Sequence, residues 1–166
     1  MYEHIHCLRS LAQFDCETYR ETILLKKHEN TCAWLFDDPR YKAWNDGDSP
    51  VLWIHAGPGS GKSVLSSVIS KELTSDDRDA MTAYFFFDDK DDRIRTAQAA
   101  LQNLLAQILK QDPSGVYEHF LEESEFAING SSTAWSFGML WRVLVRVIND
   151  ETLRPLTLVI DALGES

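Results

Sequence analysis

The sequence of 166 residues lacks the features of several protein classes. Its three cysteines are odd in number and have no CxxC spacing, which indicates reduced thiols rather than a disulfide framework or a zinc site. It has no apolar run of bilayer length, and its start, MYEHIHCLRS, lacks the pattern of a signal peptide. Basic residues are too few for a nucleic-acid partner, since the formal net charge is −10. These absences predict a soluble, cytoplasmic protein that binds neither membranes nor nucleic acids.

The composition is that of a globular protein, with 44% hydrophobic and 11% aromatic residues. Residues 1–48 are polar and predict a helical lead-in segment in several pieces, one of them interrupted at Pro39. The turn-forming stretch NDGDSP (45–50) marks the boundary with a second region, 49–166.

From residue 51 onward, apolar runs typical of buried strands alternate with helical patterns. The predicted strands are VLWIHA (51–56), MTAYFFFD (81–88) and the run that begins at Leu156. Between them lie predicted helices over 62–73, 96–111, 116–126 and 134–150. The apolar spacing of the last helix involves Phe137, Leu140, Trp141, Leu144, Val145 and Ile148. The pattern predicts an α/β protein with three αβα layers and a parallel sheet of about three strands.

A glycine-rich stretch, AGPGSGKS (56–63), lies between the first predicted strand and the following helix. It fits the phosphate-loop pattern AxxxxGK[ST], in which glycines let backbone N–H groups converge on an anion. Lys62 is predicted to bridge the β- and γ-phosphates, and the Ser63 hydroxyl to bind Mg²⁺. The alternative is a glycine-rich turn that matches by chance. The predicted nucleotide-binding residues are Ala56, Gly57, Pro58, Gly59, Ser60, Gly61, Lys62, Ser63 and Val64.

Asp161 follows the apolar run of the third predicted strand. An acid in that position of a phosphate-loop protein holds Mg²⁺, so Asp161 is the predicted metal partner. Glu165, four residues later, is the candidate that polarises an attacking water. The alternative for Asp161 is an ordinary turn residue after a strand.

Three other groups of residues have competing interpretations. Trp34, Tyr41 and Trp44 have helical spacing and indicate either packing or a pocket for a base. His55 precedes the loop and either lines the site or is structural. The acidic run DDKDD (88–92) lacks the glycine and distal glutamate of a calcium loop and predicts a solvated connection.

Six stretches together resemble the fungal NACHT-type branch of the STAND P-loop NTPases, close to the nephrocystin-3-like amino-terminal domain. They are CLRSLAQFD (7–15), TCAWLFDDPRYKAW (31–44), LWIHAGPGSGKSVLSSVI (52–69), AYFFFDDKDD (83–92), LQNLLAQIL (101–109) and LVIDALGES (158–166). The resemblance implies ATP or ADP bound with Mg²⁺ in an α/β core, and nucleotide exchange used as a conformational switch in signalling. It also implies that partners are other NACHT-type proteins or further copies of the chain.

Two departures from the family pattern affect the expected activity. Gly164 occupies the place of the family's second acidic residue, so we expect ATP hydrolysis to be slow or absent. The family also inserts a strand between the phosphate-loop strand and the strand that carries the metal-binding acid, and that strand comes later in sequence. The resemblance therefore implies a truncated core, and the sequence leaves enzyme activity and the choice between ATP and GTP open.

Three functions are compatible with these motifs. The first is a nucleotide-binding switch module. The second is a non-catalytic interaction or decoy protein that pairs with full-length relatives, which a nucleotide-independent assembly would reveal. The third, a small-molecule kinase, is disfavoured by the acid-rich DALGE stretch and the lack of a basic lid.

Overall fold

The computed structural model describes residues 3–75, 79–128 and 135–161, and their elements place the protein in the predicted α/β class. The helices are α1 (Glu3–Leu11), α2 (Cys16–Leu24), α3 (Trp34–Asp37), α4 (Pro39–Asn45), α5 (Lys62–Ser75), α6 (Ala97–Gln111), α7 (Pro113–Ile128) and α8 (Phe137–Asn149). The strands are β1 (Met81–Phe86), between α5 and α6, and β2 (Leu156–Asp161), after α8.

Pro39 divides the aromatic segment of the lead-in into α3 and α4, as its position in the sequence predicts. Asp38 is extended (φ −65°, ψ 126°), because the residue before a proline is disfavoured in the helical region. Its carboxylate then accepts a hydrogen bond of 2.8 Å from the backbone N–H of Arg40, which caps α4. Tyr41 is buried and packs edge-on against Phe36, with ring centroids 5.3 Å apart.

β1 and β2 form a parallel pair whose register runs from Met81 opposite Leu156 to Phe86 opposite Asp161. All six residues of β1 are buried, because α6 packs on this strand and β2 lies beside it. The connection between the strands passes through α6, α7 and α8, which is the long crossover that a parallel pair requires. Asp161 thus stands at the carboxyl end of the sheet.

The outer edge of β1 is covered by two side chains of α6 rather than by another strand. The Gln107 amide accepts from the backbone N–H of Tyr84 at 3.1 Å and donates to its carbonyl at 2.8 Å. Gln111 makes the same pair of bonds with Thr82, at 3.0 and 2.8 Å. The i, i+4 spacing on the helix matches the i, i+2 spacing of outward backbone groups on the strand. The two glutamines therefore bind backbone groups at the edge of β1 that could otherwise pair with a strand of another chain.

The prediction of a strand over 51–56, and with it the prediction of about three strands, is wrong for the described structure. The sheet of the described residues contains β1 and β2 alone, so the segment 51–56 is not paired with a strand. It keeps the alternation of a strand, since Leu52 and Ile54 are half-buried against α5 while Val51 and Trp53 are 67% and 69% exposed. An apolar run without such pairing is not a strand, because a strand is defined by its ladder of hydrogen bonds.

The hydrophobic core has two parts that meet at α5 and β2. The larger surrounds β1, α6 and α8, and the smaller lies between α4 and α5 around Leu35, Tyr41 and Ile69. Val64 and Val159 pack against both. Within the described ranges no helix is long and apolar enough to cross a bilayer.

Candidate functional site

The glycine-rich loop connects segment 51–56 to α5, which begins at Lys62. Gly59 and Gly61 have φ angles of +72° and +87°, in the region that other residues rarely adopt. A Cβ atom added to either would meet nothing within 4 Å, so the backbone conformation rather than space requires glycine there. Residues 55–61 are exposed, which leaves the backbone of the loop accessible to a ligand.

Lys62 lies across this loop. Its ammonium group donates to the carbonyl of Ala56 at 3.0 Å and to that of Gly57 at 3.2 Å. The first turn of α5 carries no acidic side chain, so nothing there offsets the positive end of the helix dipole. The predicted combination of a lysine, glycine backbone and a helix amino terminus is therefore present at one place, and it suits an anion such as phosphate.

Asp161 and α5 are joined by a hydrogen bond that the sequence motif did not indicate. The Ser66 hydroxyl donates to Oδ1 of Asp161 at 3.2 Å, and Asp161 is 5% exposed. Ser63, the hydroxyl that the motif predicted to bind Mg²⁺, is exposed, and among the described residues no hydrogen bond joins it to Asp161. Ser66 follows Ser63 by three positions, so the two hydroxyls lie about one turn apart on α5, and this spacing is the signal in the sequence that could have identified it.

A groove of about 290 Å³ brings the loop and the acid together. Segment 52–56 forms one wall, the end of β2 forms the other, and Lys62, Ser66 and Asp161 all line it. Trp44 and His55 lie on the same groove, so two of the residues with competing interpretations border the site. Tyr41 is packed in the core instead, and Trp34 is 60% exposed away from the groove.

The donor set fits a magnesium-bound nucleotide better than an independent metal site. In the described part of the chain no group of three or more His, Cys, Asp or Glu side chains converges as metal ligands. Mg²⁺ in nucleotide sites needs only one or two protein ligands, because phosphates and water complete its shell. Asp161 with the hydroxyl of Ser63 meets that requirement. Glu165 and Gly164 lie outside the described residues.

The acidic run 88–92 is paired with neighbouring side chains. Asp88 accepts a hydrogen bond of 3.0 Å from the Tyr19 hydroxyl, and Asp91 binds the Arg93 guanidinium at 2.9 and 2.7 Å. The hydrogen bonds from Arg93 lower the pKa of Asp91 to about 2, and burial, with the hydrogen bond to Asp88, raises the pKa of Tyr19 to about 12. These contacts favour the prediction of a solvated connection over that of a calcium loop.

A larger cavity, of about 980 Å³, lies at the covered edge of β1 and shares no residue with the loop. It is lined by Arg20, whose guanidinium stacks 4.5 Å above the ring of Tyr84 and bonds to Thr74 at 3.0 Å. Its lining carries the carboxylates of Asp15 and Glu17 as well as these cationic groups. Because these charges oppose one another, the smaller groove is the better candidate site.

Comparison with known proteins identifies the family. Residues 30–166, more than half of the chain, match the family model described as "Nephrocystin 3, N-terminal". The chain belongs to that family. The chain is also 29% identical over 141 residues to the "Vegetative incompatibility protein HET-E-1" of Podospora anserina, an alignment that covers 82% of this chain and 10% of that protein. No solved structure matches. The two matches support the NACHT-related character that the motifs predicted.

Proposed function

We propose that this chain is the nucleotide-binding module of a cytoplasmic signalling NTPase, in which bound ATP or ADP with Mg²⁺ sets a conformational switch. The observation that carries the proposal is the groove in which Lys62 at the glycine loop and Asp161 at the end of β2 face the same space. Residues 56–64 would hold the phosphates, and Asp161 with Ser63 the metal. The family membership and the similarity to an incompatibility protein favour a signalling role.

The chemistry that such a site can supply is charge stabilisation and positioning. Lys62 and the N–H groups of the loop neutralise phosphate charge, and Mg²⁺, when bound with the nucleotide, offsets charge on the phosphate oxygens. Glu165 would accept a proton from an attacking water. Because glycine stands at position 164, we propose that turnover is weak and that binding is the main activity.

The groove between 51–56 and β2 also has the position in which the family resemblance implies a further strand. The chain spans about a tenth of the length of the curated relative it matches. We therefore propose that in a longer protein a strand fills this space and brings 51–56 into the sheet.

The experiment is a thermal unfolding series with ATP or ADP and Mg²⁺. The wild type should gain stability that grows with nucleotide concentration, by about 2.7 kcal/mol at a hundred times the dissociation constant. Lys62→Ala should lose most of this gain, while Lys71→Ala, a lysine on the same helix and away from the loop, should keep it. An equal shift in wild type and Lys62→Ala would contradict the proposal.

A second candidate, a non-catalytic interaction protein, is favoured by one observation. α8 buries one apolar stripe, and a second apolar stripe on its outer side is exposed. The exposed fractions on this second stripe are 46% for Phe137, 51% for Trp141, 38% for Val145 and 53% for Ile148. Phe137 and Trp141 stack at 9° with centroids 6.3 Å apart. A continuous apolar stripe of this kind suits contact with another NACHT-type protein or a second copy of the chain.

A further inference from the structure

Asp161 is a buried carboxylate with a described hydrogen-bond donor on α5. It is 5% exposed, and in the described part of the chain the Ser66 hydroxyl is the donor that reaches its side chain, at 3.2 Å. A buried carboxylate without a hydrogen bond is costly, so this contact matters for the orientation of the group. It engages Oδ1 alone.

The position of Ser66 follows from the geometry of α5. Lys62 and Ser66 are four residues apart on the helix, so they lie one turn apart on the same face. Both line the groove with Asp161. Neighbouring Ser67 points elsewhere, since its side chain is buried and its hydroxyl donates to the carbonyl of Val64 at 2.7 Å. The face of α5 that presents the lysine thus also presents a hydroxyl to the acid.

We infer that Ser66 is a positioning residue for the metal site: its hydroxyl holds Asp161 in one orientation and leaves the other carboxylate oxygen for the Mg²⁺ that accompanies the nucleotide. The inference rests on the proposed nucleotide function and adds a residue that the loop motif does not contain. A neutral hydroxyl can orient the carboxylate without placing a positive charge beside it that would compete with Mg²⁺. Its removal lets the buried carboxylate rotate, which weakens the Mg²⁺-dependent part of nucleotide affinity and leaves the part due to the loop.

The test is calorimetric titration of the full chain with ADP, once with Mg²⁺ and once with EDTA. Ser66→Ala should weaken ADP binding about tenfold in Mg²⁺, the effect of one lost hydrogen bond to a charged group, and should leave it unchanged in EDTA. Ser66→Thr keeps the hydroxyl and should restore binding. Ser67→Ala removes a hydroxyl from the same helix without touching Asp161, and its ratio of affinities in Mg²⁺ and EDTA should equal that of the wild type.

The outcomes separate the two proposals. If the wild type binds no ADP under either condition, the proposed function fails and the role of Ser66 falls with it. If the wild type binds and Ser66→Ala loses affinity equally in Mg²⁺ and EDTA, or not at all, the inference alone is overturned. Far-ultraviolet circular dichroism checks that each variant folds. If Ser66→Ala does not fold, Ser66→Cys, which keeps the side-chain size but is a weak donor, gives the same comparison.

Discussion

Glu123 offers a sharp test of the packing between α7 and α8. Its side chain is 2% exposed and accepts from Nε of Arg142 at 3.0 and 3.2 Å and from Nη2 at 2.7 Å. Nη1 of Arg146 lies 3.1 Å from Oε1 of Glu123. Glu123→Gln keeps the shape but removes the charge and turns one acceptor into a donor that faces a guanidinium.

These contacts bound the loss in the free energy of unfolding that Glu123→Gln should cause. A hydrogen bond to a charged group contributes about 1.5–3 kcal/mol, and breaking a buried ion pair costs about 3–5 kcal/mol. The arginine side chains are 55% and 34% exposed, so water recovers part of this energy. We therefore expect Glu123→Gln to lower the free energy of unfolding by about 2 kcal/mol, which is a fall in melting temperature of about 4–8 °C for a chain of this size.

Urea unfolding followed by circular dichroism measures this loss, and a double-mutant cycle with Arg142→Gln isolates the pair. Glu118→Gln is the matched control, because Glu118 is an exposed acid on the same helix and its change should cost less than about 0.5 kcal/mol. A loss for Glu123→Gln as small as that of the control, or a coupling energy near zero, would refute the argument.

The same residue predicts a pH dependence. The hydrogen bonds from Arg142 hold the pKa of Glu123 below its ordinary value of about 4.3. A lowered folded-state pKa contributes stability that is present above the unfolded value and is lost as the pH falls toward the folded value. The gap between wild type and Glu123→Gln should therefore be constant at neutral pH and should shrink below about pH 4.3.

Two further predictions concern surfaces. Replacing both Gln107 and Gln111 by leucine removes four hydrogen bonds from the edge of β1, so urea unfolding should show a loss of about 1–3 kcal/mol and light scattering should show aggregation. Gln98→Leu, on the same helix, removes one bond to the Trp135 carbonyl and leaves the edge of β1 covered, so it should not aggregate. If α8 is an interaction surface, size-exclusion chromatography should show an assembly that Trp141→Gln abolishes and nucleotide does not affect. A monomer at all concentrations would count against that second function.

The sequence predicts most elements of the fold because their patterns are local. Pro39 separates α3 from α4, and the apolar run before Asp161 forms β2 as expected. The segment 51–56 shows the limit, since its composition is that of a buried strand but a ladder depends on a partner distant in sequence. α8 shows another limit. It is apolar around most of its circumference, and tertiary packing buries Leu140 and Val143 while Trp141 stays outside.

One part of the candidate site could likewise be predicted from the sequence, and another part depends on tertiary packing. The loop glycines and Lys62 belong to one contiguous motif, so their proximity follows from the sequence. The partner of Asp161 does not, because it depends on how α5 lies against β2. Ser63 and Ser66 are both on the helix, and the structure brings the acid to Ser66 at 3.2 Å. A motif states which residue types are needed, whereas packing decides which of two similar residues makes the contact.

Helix α5 is therefore the element that holds the site together. The segment 51–56 does not pair with β2, so the sheet does not set the distance between the loop and Asp161. α5 instead packs against both strands. Leu65 and Ile69 are buried in the smaller cluster, and Val64 packs against both clusters. Lys62 carries the charge that faces the phosphates, and Ser66 orients the acid. Because the two residues are one turn apart on this helix, the helical rise of about 1.5 Å per residue sets the distance between them. The distance between Lys62 and the group that orients Asp161 is thus set by α5 and not by the register of the sheet.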